Sequence, residues 1–154
     1  MTAIVVAAVT GAGLVTGLLF AFSNCVMKAL GDLPEDKGMF AMQRVNDVII
    51  NPLFIALFLG TPVLCGIIAI GAMGDLGASG NLYLLIGALV YLCGPFGITM
   101  FCNVPLNNRL AKAEPSDSAD LWRLYQRSWL RWNHLRSFLG AISIVLLAVG
   151  LGSA

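Results

Sequence analysis

The stretch PLFIALFLGTPVLCGIIAIGAM, Pro52 to Met73, carries no charged residue. As a helix rising ~1.5 Å per residue it is ~33 Å long, enough to cross the hydrocarbon core of a bilayer. It shows no period-two alternation of apolar and polar side chains, so it does not read as a barrel strand. The charge-free run around it extends from Val48 to Gly74, and three others, Met1 to Met27, Leu76 to Asn108 and Ser137 to Ala154, are of similar character. Backbone polar groups in lipid must be satisfied within their own segment, which makes each run a helix. The chain therefore reads as all-α: an integral membrane bundle of four transmembrane helices in a single domain, 1–154, with spans at about 4–27, 52–73, 81–103 and 135–151.

The composition agrees. Only 11% of the 154 residues are charged, and the mean hydropathy of +0.87 lies outside the range of soluble globular chains. The first run lacks a basic leader and a small-residue cleavage site, so it is expected to stay as the first span. The basic stripe of Arg123, Arg127 and Arg131 reads as a membrane-surface anchor, so no nucleic-acid partner is expected. Cys25, Cys65, Cys93 and Cys102 lie in or at the ends of apolar runs, without zinc-type spacing, and read as small hydrophobes. A Cys25–Cys102 bridge stays open. Glycines such as Gly11, Gly13 and Gly17 suit close helix packing, and helix faces of this kind allow a homo-oligomer or partner membrane subunits.

All nine Lys and Arg fall in two segments: Lys28, Lys37 and Arg44 between spans one and two, and Arg109 to Arg136 between spans three and four. The positive-inside bias places both long loops in the cytoplasm and both termini outside, in a plasma (bacterial inner) membrane. Asp75 to Gly80 has room only for a tight turn. Each long loop carries its own helix, at about 34–50 and 118–134. Asp32, Pro34 and Glu35 read as a capped start for the first, and Asn51-Pro52 as its stop and the opening of span two. Met39, Gln43, Asn46 and Ile50 fall near one stripe of that helix, expected to face the bundle. The second follows a turn near Glu114 to Asp117 and can run unbroken into span four. Its Arg123, Arg127 and Arg131 form a basic stripe suited to lipid phosphates. Leu121, Tyr125, Trp129 and Trp132 form an apolar face, and the tryptophans also fit an interfacial belt.

Uncharged hydrogen-bonding side chains gather at the loop ends of the spans: Ser23, Asn24, Gln43, Asn46, Asn51, Asn103, Asn107, Asn108, Asn133 and His134. Polar groups at that depth are costly unless paired. Asn51 and Asn103, beside Pro52 and before Pro105, also read as caps. His134 is the single histidine, and an unperturbed pKa of about 6.5 suits it to proton transfer. The residues supply no metal-ligand or haem-ligand set at the usual spacing, and no nucleotide-binding motif. They fit either a membrane enzyme or a non-enzymatic small membrane subunit or lipid-binding module. A cavity lined by these residues would separate the two.

Four motifs stand out: AFSN at Ala21 to Asn24, AMQRVN at Ala41 to Asn46 leading to Asn51-Pro52, NVPLNNRL at Asn103 to Leu110, and WLRWNHLR at Trp129 to Arg136. Together they resemble the anthrone oxygenase-like family over nearly the whole chain. The resemblance implies oxidation of a hydrophobic, enolisable aromatic by molecular oxygen, with no metal, flavin or other cofactor. Such chemistry needs a base, donors for an enolate oxygen and a dry aromatic-walled pocket. The assignment that follows takes His134 as base, with Asn133, Asn103 and Asn107 as amide donors. Arg136 or Arg109 would give electrostatic support, and Trp129 and Trp132 the walls. Gln43, Asn46 and Asn24 would complete the substrate site.

Overall fold

The computed structural model describes residues 1–114 and 118–153. Within them lie five helices and no strand: α1 (Thr2–Gly31), α2 (Glu35–Ile49), α3 (Pro52–Met73), α4 (Asn81–Ala111) and α5 (Ser118–Gly152). All but α2 are long and apolar enough to cross a membrane. The expected turn at Glu114 to Asp117 falls mostly on residues 115–117, outside the described residues.

The four long helices form a ring in which α1 and α4 each pack against both α3 and α5. The α3–α4 connection is a tight turn: Asp75 Oδ1 accepts from the Gly77 and Ala78 amides at 3.0 and 3.2 Å, and Gly80 adopts the left-handed φ of 84°. Gly80 abuts the Gly150 carbonyl, and Met1 abuts Gly71. Both termini and this turn thus share one end of the bundle, with α2 at the other.

The outward faces are apolar, with Leu14, Val63, Ile70 and Val145 exposed and Phe101 84% exposed. A soluble protein would bury such side chains; lipid solvates them. Between helices, alanines and glycines let the backbones approach closely beside Ile68, Leu84, Tyr91 and Leu147. A methyl on Gly87 would come within 3.0 Å of the Leu147 amide nitrogen, and Ser143 Oγ donates to the Gly87 carbonyl at 2.8 Å. Close backbone approach, rather than burial of large side chains, is how membrane helices gain packing energy.

Asn51 caps α3 as its sequence context predicts, its Oδ1 accepting from the Phe54 amide at 3.0 Å with Pro52 following. Asp32 does not cap α2. Because α1 continues to Gly31, Asp32 sits at its C-terminal end and pairs with Lys28 at 2.9 Å, while Pro34 occupies the α2 N-cap without a side-chain bond. Nor does Asn103 cap: α4 runs through it without a break, and the side chain turns inward. Met39 and Met42 are buried beneath α2, with Gln43 and Asn46 half-buried, but Ile50 is 68% exposed. The helix ends at Ile49 and Ile50 has left helical geometry, yet it still borders the space between α2 and the bundle beside Met42 and Asn46.

α5 is continuous from loop to span. Trp122, Tyr125 and Trp129 recur on one face and stack in series, with centroids 5.7 and 6.1 Å apart. All three are buried beneath the loop end, so Trp122 and Trp129 belong to the core rather than to an interfacial belt; Trp132 is 39% exposed. Arg127 and Arg131 are exposed, and Arg123 Nε donates to Glu35 at 2.6 Å, tying α5 to α2. All four cysteines are free, with Cys25 and Cys93 exposed and Cys65 buried.

Candidate functional site

A buried polar layer crosses the bundle between the small-residue core near the termini and the aromatic cluster under α2. Its centre is Asn133 on α5, which is fully buried. The Asn133 amide donates to the Leu19 carbonyl and to Ser23 Oγ, both at 2.8 Å on α1. Its Oδ1 accepts from Arg136 Nε at 3.0 Å and from a terminal guanidinium nitrogen at 2.8 Å. The other terminal nitrogen of Arg136 donates to Thr99 Oγ1 on α4 at 2.8 Å, and Thr99 donates to the Pro95 carbonyl at 2.6 Å. Asn133 and Arg136 are three residues apart and so share a helix face. Asparagine is therefore the strut that holds the guanidinium between α1 and α4.

Ser23 and Thr99 each lie in a π-helical segment, Phe22–Val26 of α1 and Leu92–Asn103 of α4. A wider turn shifts the face that follows it, and such segments recur at functional sites. Here Thr99 meets the one buried cation among the described residues directly, and Ser23 meets the Asn133 amide that braces it. Arg136 is 5% exposed and lies over the Trp129 ring, 5.0 Å from its centroid. It has no carboxylate partner among the described residues. An unpaired buried charge is expensive, and in a membrane segment it marks a site.

Arg136 borders a cavity of about 390 Å³ enclosed by α1, the C-terminal half of α2, the start of α3, α4 and α5. The walls are mostly apolar, with Phe22, Phe54, Phe58 and Trp129 supplying aromatic surface. Polar groups are few: Arg136, Thr99, Asn46, Asn107 and Asn108, with Asp47 as the one carboxylate among the described lining residues. Asp47 is exposed and pairs with Arg44 at 3.2 Å. Tyr125 donates to Asn107 Oδ1 at 2.9 Å, leaving the amide N–H groups of Asn107 for the cavity. The Asn46 amide nitrogen and the Trp129 indole nitrogen are buried without an acceptor.

Of the residues expected at the site, Arg136, Asn107, Trp129 and Asn46 line the cavity. Asn133 and Asn103 stand behind the wall, Asn133 bracing Arg136 and Asn103 donating to the Trp129 carbonyl at 3.2 Å. His134 does not border the cavity. It is exposed at the α1 edge of α5, its Nδ1 3.0 Å from Ser23 Oγ, because consecutive helical residues point ~100° apart and Asn133 takes the inward position. Trp132, Asn24 and Arg109 are likewise exposed and off the cavity. Gln43 instead donates to the Leu110 and Ala113 carbonyls at 2.8 and 3.3 Å, fastening α2 to the end of α4. Thr99 and Asp47 were not anticipated; a threonine four residues after Pro95 in an apolar span was the available signal for the first.

Among the described residues no group of three His, Cys, Asp or Glu side chains could hold a metal ion. No protein of curated function and no solved structure matches the chain. The family model described as anthrone oxygenase matches residues 53–146. That match takes in α3, α4 and most of α5, with Thr99, Asn107, Trp129, Asn133 and Arg136 among them, and covers more than half of the chain. The chain belongs to the anthrone oxygenase family.

Proposed function

We propose that this protein is a membrane-embedded oxygenase that converts a flat, apolar, enolisable aromatic ketone of the anthrone type to the quinone, using molecular oxygen without a metal or flavin. The observation that carries the reading is the cavity: an apolar, aromatic-walled space in a membrane domain, with hydrogen-bond donors at its buried end. A bundle filled by its own side chains, as a purely structural subunit would be, has no such space. An apolar substrate reaches it from the lipid.

The ring methylene loses a proton to leave a carbanion conjugated with the ketone as an enolate. The carbanion passes its electrons to oxygen, forming a carbon–oxygen bond and, after protonation, a hydroperoxide. Loss of the remaining carbon-bound hydrogen with cleavage of the O–O bond gives the new carbonyl, and the second oxygen atom leaves as water. The protein's part is to favour the enolate. Arg136 and the Asn107 amide donate toward developing negative charge in a site where water does not screen them. Asp47, at the cavity wall, is the candidate proton acceptor.

Purified protein in detergent should consume oxygen with a model anthrone above the spontaneous rate, with or without a chelator. No uptake above background would remove the oxygenase reading. His134→Ala is expected to cost less than tenfold in rate; a loss of about 100-fold or more, typical of a missing general base, would restore histidine as the base.

The same reading places both long connections on the cytoplasmic face, following the clustering of Lys and Arg there. Lys28 and Lys37 are exposed, so an impermeant amine reagent should modify them in inside-out vesicles and not in sealed cells. Modification in intact cells would invert the orientation.

A further inference from the structure

Arg136 has five guanidinium N–H bonds, of which Nε–H and one hydrogen on each terminal nitrogen reach Asn133 or Thr99. One hydrogen on each terminal nitrogen is left without a protein acceptor. The residues holding the guanidinium are neutral, so its full charge is available at the cavity wall. The other buried wall donors without acceptors, the Asn46 amide and the Trp129 indole, add further positive ends of dipoles. The one carboxylate of the wall, Asp47, is exposed and engaged by Arg44. A neutral apolar ligand would leave this charge uncompensated, whereas an oxyanion would supply the missing partner. An open N–H bond on each terminal nitrogen suits the oxygen of a carboxylate or an enolate.

We propose that the cavity is an anion-selective site that binds its aromatic ligand as the oxyanion, with the charged oxygen on the two open N–H bonds of Arg136 and the rings against Phe22, Phe54 and Trp129. This deepens the oxygenase reading and rests on it for the identity of the substrate. It adds that the site holds the oxyanion more tightly than the neutral ketone that enters from lipid, so that loss of the proton is favoured once the substrate is bound.

The test uses two probes that cannot be oxidised by this chemistry, 2-naphthoate and its neutral analogue 2-naphthamide, titrated calorimetrically into the detergent-solubilised full chain. Wild-type protein should bind the carboxylate at least about tenfold more tightly than the amide, as expected of a charge-assisted bidentate contact. Arg136→Met, with helicity matching wild type, should bring the affinities of the two probes to within about threefold of each other. Equal affinity of the two probes for wild-type protein overturns the proposal, and does so whether or not the variant folds. Displacement of 2-naphthoate by oleate at equal concentration overturns the aromatic half, since the site would then read charge alone. The oxygenase reading fails separately: naphthoate preference without oxygen uptake from an anthrone keeps the anion site and removes the reaction. Uptake that 2-naphthoate does not inhibit keeps the reaction and overturns the anion site as the place where it occurs.

Discussion

Arg136→Met is expected to slow oxygen uptake from an anthrone about 100- to 1000-fold, the loss that follows removal of one donor to a developing oxyanion. Methionine fills much of the arginine's volume with an adaptable side chain, so the change removes charge rather than packing. The variant leaves Asn133 Oδ1 and Thr99 Oγ1 without the donors they have in the native protein. Arg136→Lys keeps a charge but, once bonded to Asn133 and Thr99, leaves one open N–H bond instead of two, and should fall between the two. Asn133→Ala should resemble the lysine variant. It keeps the guanidinium but removes its α1-anchored strut, so the charge is kept and its positioning is lost. Combining Asn133→Ala with Arg136→Met should add little to Arg136→Met alone, because the asparagine acts through the arginine. Initial rates of oxygen consumption, with helicity measured alongside, decide the matter. Wild-type rates in folded Arg136→Met would remove this residue from the reaction.

The second large effect concerns the bundle. Gly87→Val places a branched side chain where even a methyl would stand 3.0 Å from both the Leu146 Cβ and the Leu147 amide nitrogen of α5. Neither neighbour is the mobile tip of a long side chain, so relief requires the helices to separate. Separation in turn breaks the bond from Ser143 Oγ to the Gly87 carbonyl. Overpacking typically costs 1–3 kcal/mol and a buried unsatisfied hydroxyl about 1–3 kcal/mol more. The apparent melting temperature in detergent should fall by more than about 5 °C. The same substitution at Gly13, where added atoms would meet open space, should leave the melting temperature within about 2 °C, since surface changes are usually small. Equal melting of wild type and Gly87→Val would show that α4 and α5 do not need this approach.

Much of this protein is legible in its sequence because the membrane imposes rules that act locally. Charge-free runs of sufficient length become helices whatever surrounds them, and Asn51-Pro52 caps α3 through bonds within a few residues. The clustering of polar residues at one level was likewise visible, since it depends only on where along each span they fall. What a run of apolar residues does not encode locally is rotation about its axis. In a helix apolar on all sides, hydrophobic periodicity is nearly absent, so nothing in WNHLR says whether Asn133 or His134 points inward. Packing decides it: Asn133 meets Leu19 and Ser23 across the α1 interface, and the residue after it faces outward. The π-helical turns that deliver Ser23 and Thr99, and the pairing of a buried arginine with neutral partners instead of an acid, are settled by contacts between helices distant in sequence. The sequence by itself determined four spans, their alternating direction and the depth of the polar layer. Only the tertiary structure decided which of those polar side chains face the cavity, because facing is a property of helix rotation, and rotation is set by neighbours.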